Sequence, residues 1–423
     1  MDADQPDLPD AASDARSGRR SLVHVHDGPN LASPGTRRTL TIIVAILALA
    51  TLVAMVALRP TGDDLVNPEA LGFSDVVDAT VTDARLEPCS FDPATRCDVV
   101  DLAITNGPTA GDTTSLETSL DAGAVTLDQG DGVVLNFVED LPPGAPESVR
   151  YSFADYQRTT PLIVLAVLFA VAVVLLGRLQ GVRALLGLAL SLAVLLGFIL
   201  PALVQGRSPL AVALAGSAAI AFVALYLAHG VNERTTVALL GTFASLALTG
   251  ALGVAFLAAT RVTGLADEQA VTLLAFAPSL DFQGLLLAGV IIGSLGVLDD
   301  VTVTQVSATW ELHLADPTRP VRDLYRSAVR IGRDHIASTV NTLVLAYAAA
   351  ALPLLLILSQ SGRSLGSVLT SETVAVELVR TLVGSIGLVA SVPITTALAA
   401  VVVTGTRMRR TPAPAATAVE QPA

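Results

Sequence analysis

Eight stretches of this chain are apolar for long enough to cross the roughly 30 Å hydrocarbon core of a bilayer at about 1.5 Å per residue. No other feature limits the possible folds so sharply. The stretches are Leu40–Leu58, Leu162–Gly177, Ala184–Val204, Pro209–Ala228, Thr235–Ala259, Leu285–Val306, Ala337–Leu358 and Val374–Thr404. Mean hydropathy is +0.64 and only 15% of residues are charged, against about a quarter in soluble domains. That balance excludes an ordinary water-soluble enzyme. The last stretch is too long for one straight crossing, so its first turns are expected in the outer interface.

Arginine placement sets the orientation, because cytoplasmic loops carry the excess of basic residues; the chain has no lysine. With the N-terminus inside, 16 of the 25 arginines fall on the cytoplasmic side, eight outside, and Arg380 within a span. Both termini are then cytoplasmic, in a bacterial cell membrane. Leu40–Leu58 is too long for the apolar core of a cleaved leader, and its exit, Arg59-Pro60, lacks a small-residue cleavage site. An uncleaved anchor over 39–59 is the expectation.

Residues 60–160 hold 19 of the 38 acidic residues and four arginines, a net charge of −15, and stand outside the membrane in this topology. Val100/Leu102/Ile104 and Val133/Leu135/Phe137 alternate as strands do, with turn chemistry at Asn106-Gly107-Pro108 and Gly130-Asp131-Gly132. Four to six short strands are expected in a small barrel or sandwich, OB-like. Its acidity argues against nucleic acid as a partner. Cys89 and Cys97 are expected to close a disulfide there rather than stand as two buried thiols. Asp128 and Asp131 read as turn residues before they read as calcium ligands. The expected fold is thus an all-α polytopic bundle of about eight helices with this β domain inserted after the first. A seven-helix bundle covers 161–406, and the tails 1–38 and 407–423 are expected to be disordered. Pro320 opens an amphipathic segment with Val321, Leu324, Ala328 and Ile331 on one face and Arg322, Arg326, Arg330 and Arg333 on another. It is expected to lie on the cytoplasmic leaflet.

An ionisable side chain inside a bilayer is costly enough to be a functional candidate. Gly293, Gly296, Asp300, Thr304, Ser307 and Glu311 recur at steps of three and four, one face of the sixth span, with Asp299 about 100° away. The glycines are expected to admit a neighbouring helix, so that the polar members face the bundle. A second stripe, Glu377, Arg380, Gly384, Gly387, Ser391 and Thr395, runs along the eighth span, which Pro393 interrupts. Ser338, Asn341 and Thr342 begin the seventh. Depth arithmetic brings Asp299, Asp300, Asn341, Ser391 and Thr395 together in the inner third, with Glu377 and Arg380 as a separate pair at the outer mouth. His335 is placed at the cytoplasmic surface without a role.

The stretches GVIIGSLGVLDDVTVTQVSATWEL (Gly289–Leu312), GRDHIASTVNTLVLAYAAAALPLLLIL (Gly332–Leu358) and ELVRTLVGSIGLVASVPITT (Glu377–Thr396) together resemble the YibE/F-like family of bacterial multi-pass membrane proteins. The resemblance covers nearly the whole membrane part. It implies one anchor, an external β-rich domain and seven further spans. The family pattern places one aspartate in the sixth span and a glutamate eleven residues later, which Asp300 and Glu311 match; Asp299 is an addition. The resemblance carries no reaction or substrate.

The leading functional expectation is a secondary transporter or permease for a small solute or ion, using the carboxylate of Asp300. The alternative is a membrane scaffold or sensor whose residues 60–160 bind an envelope protein. HExxH and P-loop motifs are missing from the sequence, so no enzymatic activity, cofactor or metal is expected. The partners are then the lipid bilayer and the transported solute or ion.

Overall fold

A computed structural model describes residues 32–61, 75–90, 95–119, 126–139, 141, 149–266, 268–277, 280–360 and 362–405. Most of both expected tails lies outside these residues. Helix α1 (Pro34–Ala57) starts within the segment expected to be tail, for a local reason: the Ser33 hydroxyl accepts the Thr36 N–H, and Pro34 takes the first helical position. Five strands follow, β1 (Asp75–Pro88), β2 (Arg96–Ile104), β3 (Thr113–Ser119), β4 (Gly132–Phe137) and β5 (Tyr151–Tyr156). The remaining helices are α2 (Thr159–Val194), α3 (Leu200–Val204), α4 (Pro209–His229), α5 (Glu233–Thr260), α6 (Glu268–Phe276), α7 (Phe282–Ala315), α8 (Val321–Ala350), α9 (Leu352–Ser359), α10 (Leu365–Leu369) and α11 (Glu372–Thr404).

The strands form one antiparallel sheet in the order β3-β2-β1-β4-β5, with β3 and β5 in contact. Bulges at Thr82 in β1 and at Ala154 in β5 bend it into a half-barrel. Alternation sets its inner face: Val77, Ala79, Val81, Val100, Leu102, Ile104, Val133, Leu135 and Phe137 are all buried in one core. Asn106 Oδ1 accepts the Asp78 N–H at 2.6 Å, and Gly107 turns at φ 84° where a Cβ would stand 2.6 Å from Val77 Cγ1. Cys89 and Cys97 form the expected disulfide between β1 and β2. The Asp128 N–H donates to Asp131 Oδ2, so this pair is a turn.

Among the described residues six helices are long and apolar enough to cross a membrane, or seven if the bent pair α8–α9 counts as one. One of the six, Thr159–Val204, has 46 residues, roughly 69 Å of helix and more than twice a bilayer core. It is not straight. Arg178 adopts φ 49°, ψ −128°, and a Cβ on Gly181 would stand 2.3 Å from the Val173 carbonyl oxygen. In an unbroken helix those residues would be about 12 Å apart. The chain therefore reverses at Arg178, and the two arms coincide with the second and third apolar stretches.

The segment beyond Pro320 departs from expectation. The amphipathic segment and the seventh stretch are one continuous helix, α8, because no proline lies between Ile331 and Ala337 and Gly332 is packed within the helix against Gln305 and Val392. The break comes instead at Ala351, where α9 departs at 66°; Pro353 cannot donate to the Ala349 carbonyl. Leu324, Ala328 and Gly332 are buried against the bundle rather than in a leaflet, while Arg322, Arg326, Arg330 and Arg333 are exposed. Helices α6 and α10, short pieces in loops, were not foreseen.

Helices α5, α7 and α11 pack on one another at the centre; α4 and α8 flank α7, and α1 and α2 lie against α4. The start of α1 is tied to this core by Glu233, which accepts the Ala32 N–H at 2.9 Å and pairs with Arg37 at 3.1 Å. One end of the bundle thus gathers the start of α1, the α4–α5 and α7–α8 connections and the end of α11. At the sheet-side end, Thr61 bonds Gln205, and Glu372 accepts the Thr263 and Gly264 N–H groups.

Candidate functional site

Helix α7 has two unlike faces. Ser294, Leu298, Val301, Thr302, Gln305 and Thr309 are buried against α5, α8 and α11. The stripe singled out in the sequence lies on the other side: Gly293, Gly296, Asp300, Thr304 and Glu311 are exposed and Ser307 is half-buried. Open space stands over Gly289 and Gly296, and Gly293 meets only the Tyr347 hydroxyl, 3.4 Å from where its Cβ would be. The glycines do not seat a helix; they lie on the strip of α7 left uncovered between α4 and α8.

The expected convergence of five residues is therefore not formed. The Asp300 side chain is 70% exposed and Asn341 is exposed on α8. Ser391 and Thr395 are fully buried on the face of α11 that meets α5: the Ser391 hydroxyl donates to Leu388 O, and a Cβ on Gly241 would stand 2.4 Å from Thr395 Oγ1. The reason is angular. Asp300 stands about 120° around α7 from Ser294, the residue against Gly384 of α11, so equal depth does not bring them to one cavity.

This uncovered strip gathers a different set. At its end near the α4–α5 connection is a cavity of about 240 Å³ lined by Gln180, His229, Asn232, Arg234, Val303 and Ser307, among others. Asn232 builds this corner: its Oδ1 caps α5 by accepting the Thr235 N–H, and its Nδ2 donates to the His229 carbonyl. Arg234 pairs with Glu311 at 3.1 Å. Asp300 stands between two histidines, with His335 Nε2 3.8 Å away on α8 and His229 within electrostatic reach on α4. Asp299 turns inward, and its Oδ1 is buried with no hydrogen-bond partner among the described residues. Sequence reasoning missed His229 and gave His335 no role; they sit 71 and 35 residues from Asp300, and no local spacing links them.

The interior carries polar bonds that no stripe announced. Thr242 and Thr302 share a hydrogen bond at 2.8 Å between α5 and α7. Gln305 Nε2 donates to Thr396 Oγ1 at 2.7 Å and to the Ala328 carbonyl at 2.8 Å, filling the notch left by Gly332. Glycine–hydroxyl contacts close the remaining seams, Gly387 on Thr249 and Gly384 on Ser294. Glu377 and Arg380 pair at 2.9 Å, each about a third exposed. Among the described residues the one cluster with metal-ligand spacing is Cys89, Cys97 and Glu117, and the disulfide engages both sulfurs.

On the sheet, Arg85 donates to Asp101 and, at 2.7 Å, to Glu87, while Ser115 bonds Asp101 at 2.5 Å. The Arg85 guanidinium and the Ser115 hydroxyl hold the Asp101 carboxyl below its ordinary pKa.

A membrane bundle with a half-barrel sheet inserted after its first helix, and an uncovered polar strip along its seventh, is the class of protein that fold and site define. The YibE/F-like protein family matches residues 165–405, more than half of the chain, and the chain belongs to that family. No curated protein and no solved structure matches it.

Proposed function

We propose that the protein is a secondary transporter for a small solute or ion, and that a groove along α7 between α4 and α8 is its path. The uncovered face of α7 carries this reading. A carboxylate on a membrane helix is costly when it faces lipid, and Asp300 has no helix over it, so this face must be hydrated. Glycines widen the floor beneath it, and Thr304, Ser307 and Glu311 extend its polar surface.

The reading takes the reversal at Arg178 and the α8–α9 bend as dividing the chain into eight crossings. The arginine-rich end, with both termini, then faces the cytoplasm of a bacterial cell, and the sheet, whose strand order is that of an OB barrel, stands outside. Glu377 and Arg380 mark the outer mouth. The acidic sheet supports a second role, recognition of an envelope protein, which co-purification with and without residues 60–160 would test. No catalysis and no cofactor enter this reading.

The described residues contain no free cysteine and the chain has only the disulfide pair, so introduced thiols report alone. Gly296→Cys, Thr304→Cys and Ser307→Cys should react with a charged, membrane-impermeant thiol reagent, while Leu165→Cys on the outer surface of α2 should not. Equal inertness at all four positions would remove the hydrated groove. Once a solute is found by flux into proteoliposomes, Asp300→Asn should abolish its uptake; unchanged flux would take Asp300 out of the mechanism.

A further inference from the structure

We propose that the ion coupled to this transport is a proton, held jointly by Asp300 and His335 across the boundary between α7 and α8. The proposal rests on the transporter reading and identifies its coupling ion.

The donor set decides the chemistry. His335 Nε2 lies 3.8 Å from Asp300 Oδ2, is shielded from solvent, and has no hydrogen-bond partner among the described residues. Sodium, magnesium and calcium are held by several oxygens, and an imidazole nitrogen serves them poorly. Transition metals accept imidazole but take three or more protein donors. Among the described residues no third His, Cys, Asp or Glu donor stands within 4.8 Å of both atoms. One imidazole beside one carboxylate suits a proton. Water protonates the exposed Asp300 carboxylate, the proton passes to the shielded Nε2 so that imidazolium pairs with carboxylate, and the reverse path returns it to water, leaving neutral imidazole beside a carboxylate.

The surroundings give the pair a route and a counterpart. His229 of α4 is within electrostatic reach of Asp300, and Asp299 is the neighbour of Asp300 on α7. Arg234 of α5 is engaged by Glu311, and Arg333 and Asp334 of α8 are exposed. The charged groups of α11, Glu372, Glu377 and Arg380, lie towards its sheet-side end, with Glu377 and Arg380 paired to each other. Because the pair joins two helices, a change in its charge alters how α7 and α8 are held together.

The chain has five histidines, so full-length protein in lipid nanodiscs, labelled with 15N at histidine, gives five ring signals assignable by His→Gln variants. The His335 ring signal should respond to pH. Asp300→Asn should alter that response, Asp300→Glu should restore it, and the His313 signal from the packed face of α7 should be unaffected. Exchanging potassium for sodium, or adding zinc, should leave the His335 signal in place. A pH response indifferent to Asp300→Asn, or a signal that follows sodium or zinc and not pH, would overturn the proposal. Thiol labelling of the groove reads the parent hypothesis separately. A labelled groove with an unmoved His335 removes the proton and keeps the transporter; an unlabelled groove with a coupled His335 does the reverse.

Discussion

Asp299 and Asp300 are neighbours in the chain and finish in different surroundings. One residue of helix is about 100° of rotation. It turns the Asp299 oxygen into the bundle and leaves Asp300 facing the groove between two histidines. Elsewhere a single carboxylate links stability to pH. The Asp101 pKa is depressed in the folded sheet, so its contribution is whole above the unfolded value, about 3.9, and is lost as pH falls through the lower, folded one. Thermal unfolding of the sheet should hold its midpoint from pH 7 to about 5 and lose it steeply below about 4. In Asp101→Asn that acid limb should be shallower; an identical limb would show that Arg85 and Asp101 are not linked to folding.

Helices in a bilayer gain little from burying apolar side chains against each other, because lipid is as apolar as leucine. Close packing must therefore hold α5, α7 and α11 together, and glycine permits it: a Cβ on Gly387 would stand 1.9 Å from Thr249 Oγ1. Gly387→Val should destabilise the bundle by roughly 1–3 kcal/mol, the ordinary cost of overpacking. Thr249→Ala, which empties the facing space, should recover part of that loss. Unfolding in mixed micelles of the two single variants and the double variant measures the coupling, and strict additivity would mean that the two helices do not meet there. Regular spacing found the glycines of α7 and of α11 alike, but only the α11 set seats a partner. A stripe marks a face without saying what covers it.

At the scale of the whole molecule the ends of the helices define two sides. The reversal at Arg178 brings Gln180 beside His229 and Arg234, so it belongs to the side that holds the α7–α8 connection. Arg178→Cys should be modified by an impermeant thiol reagent from the same side as Thr318→Cys and from the opposite side to Ser364→Cys. Labelling together with Ser364→Cys would make Thr159–Val204 something other than a hairpin and remove the eight-crossing topology. Apolar runs and local periodicity settled the membrane class, the approximate ends of the helices, the alternating strands and the disulfide, since each depends on neighbours a few residues apart. Contacts between distant segments settled the rest: that α8 is one helix packed on the core, that the sheet closes towards a half-barrel, and that Asp300 meets His335 instead of Ser391 and Thr395. Period and length set where a side chain points relative to its own helix, but the rotation of one helix against another comes from packing summed over the entire bundle.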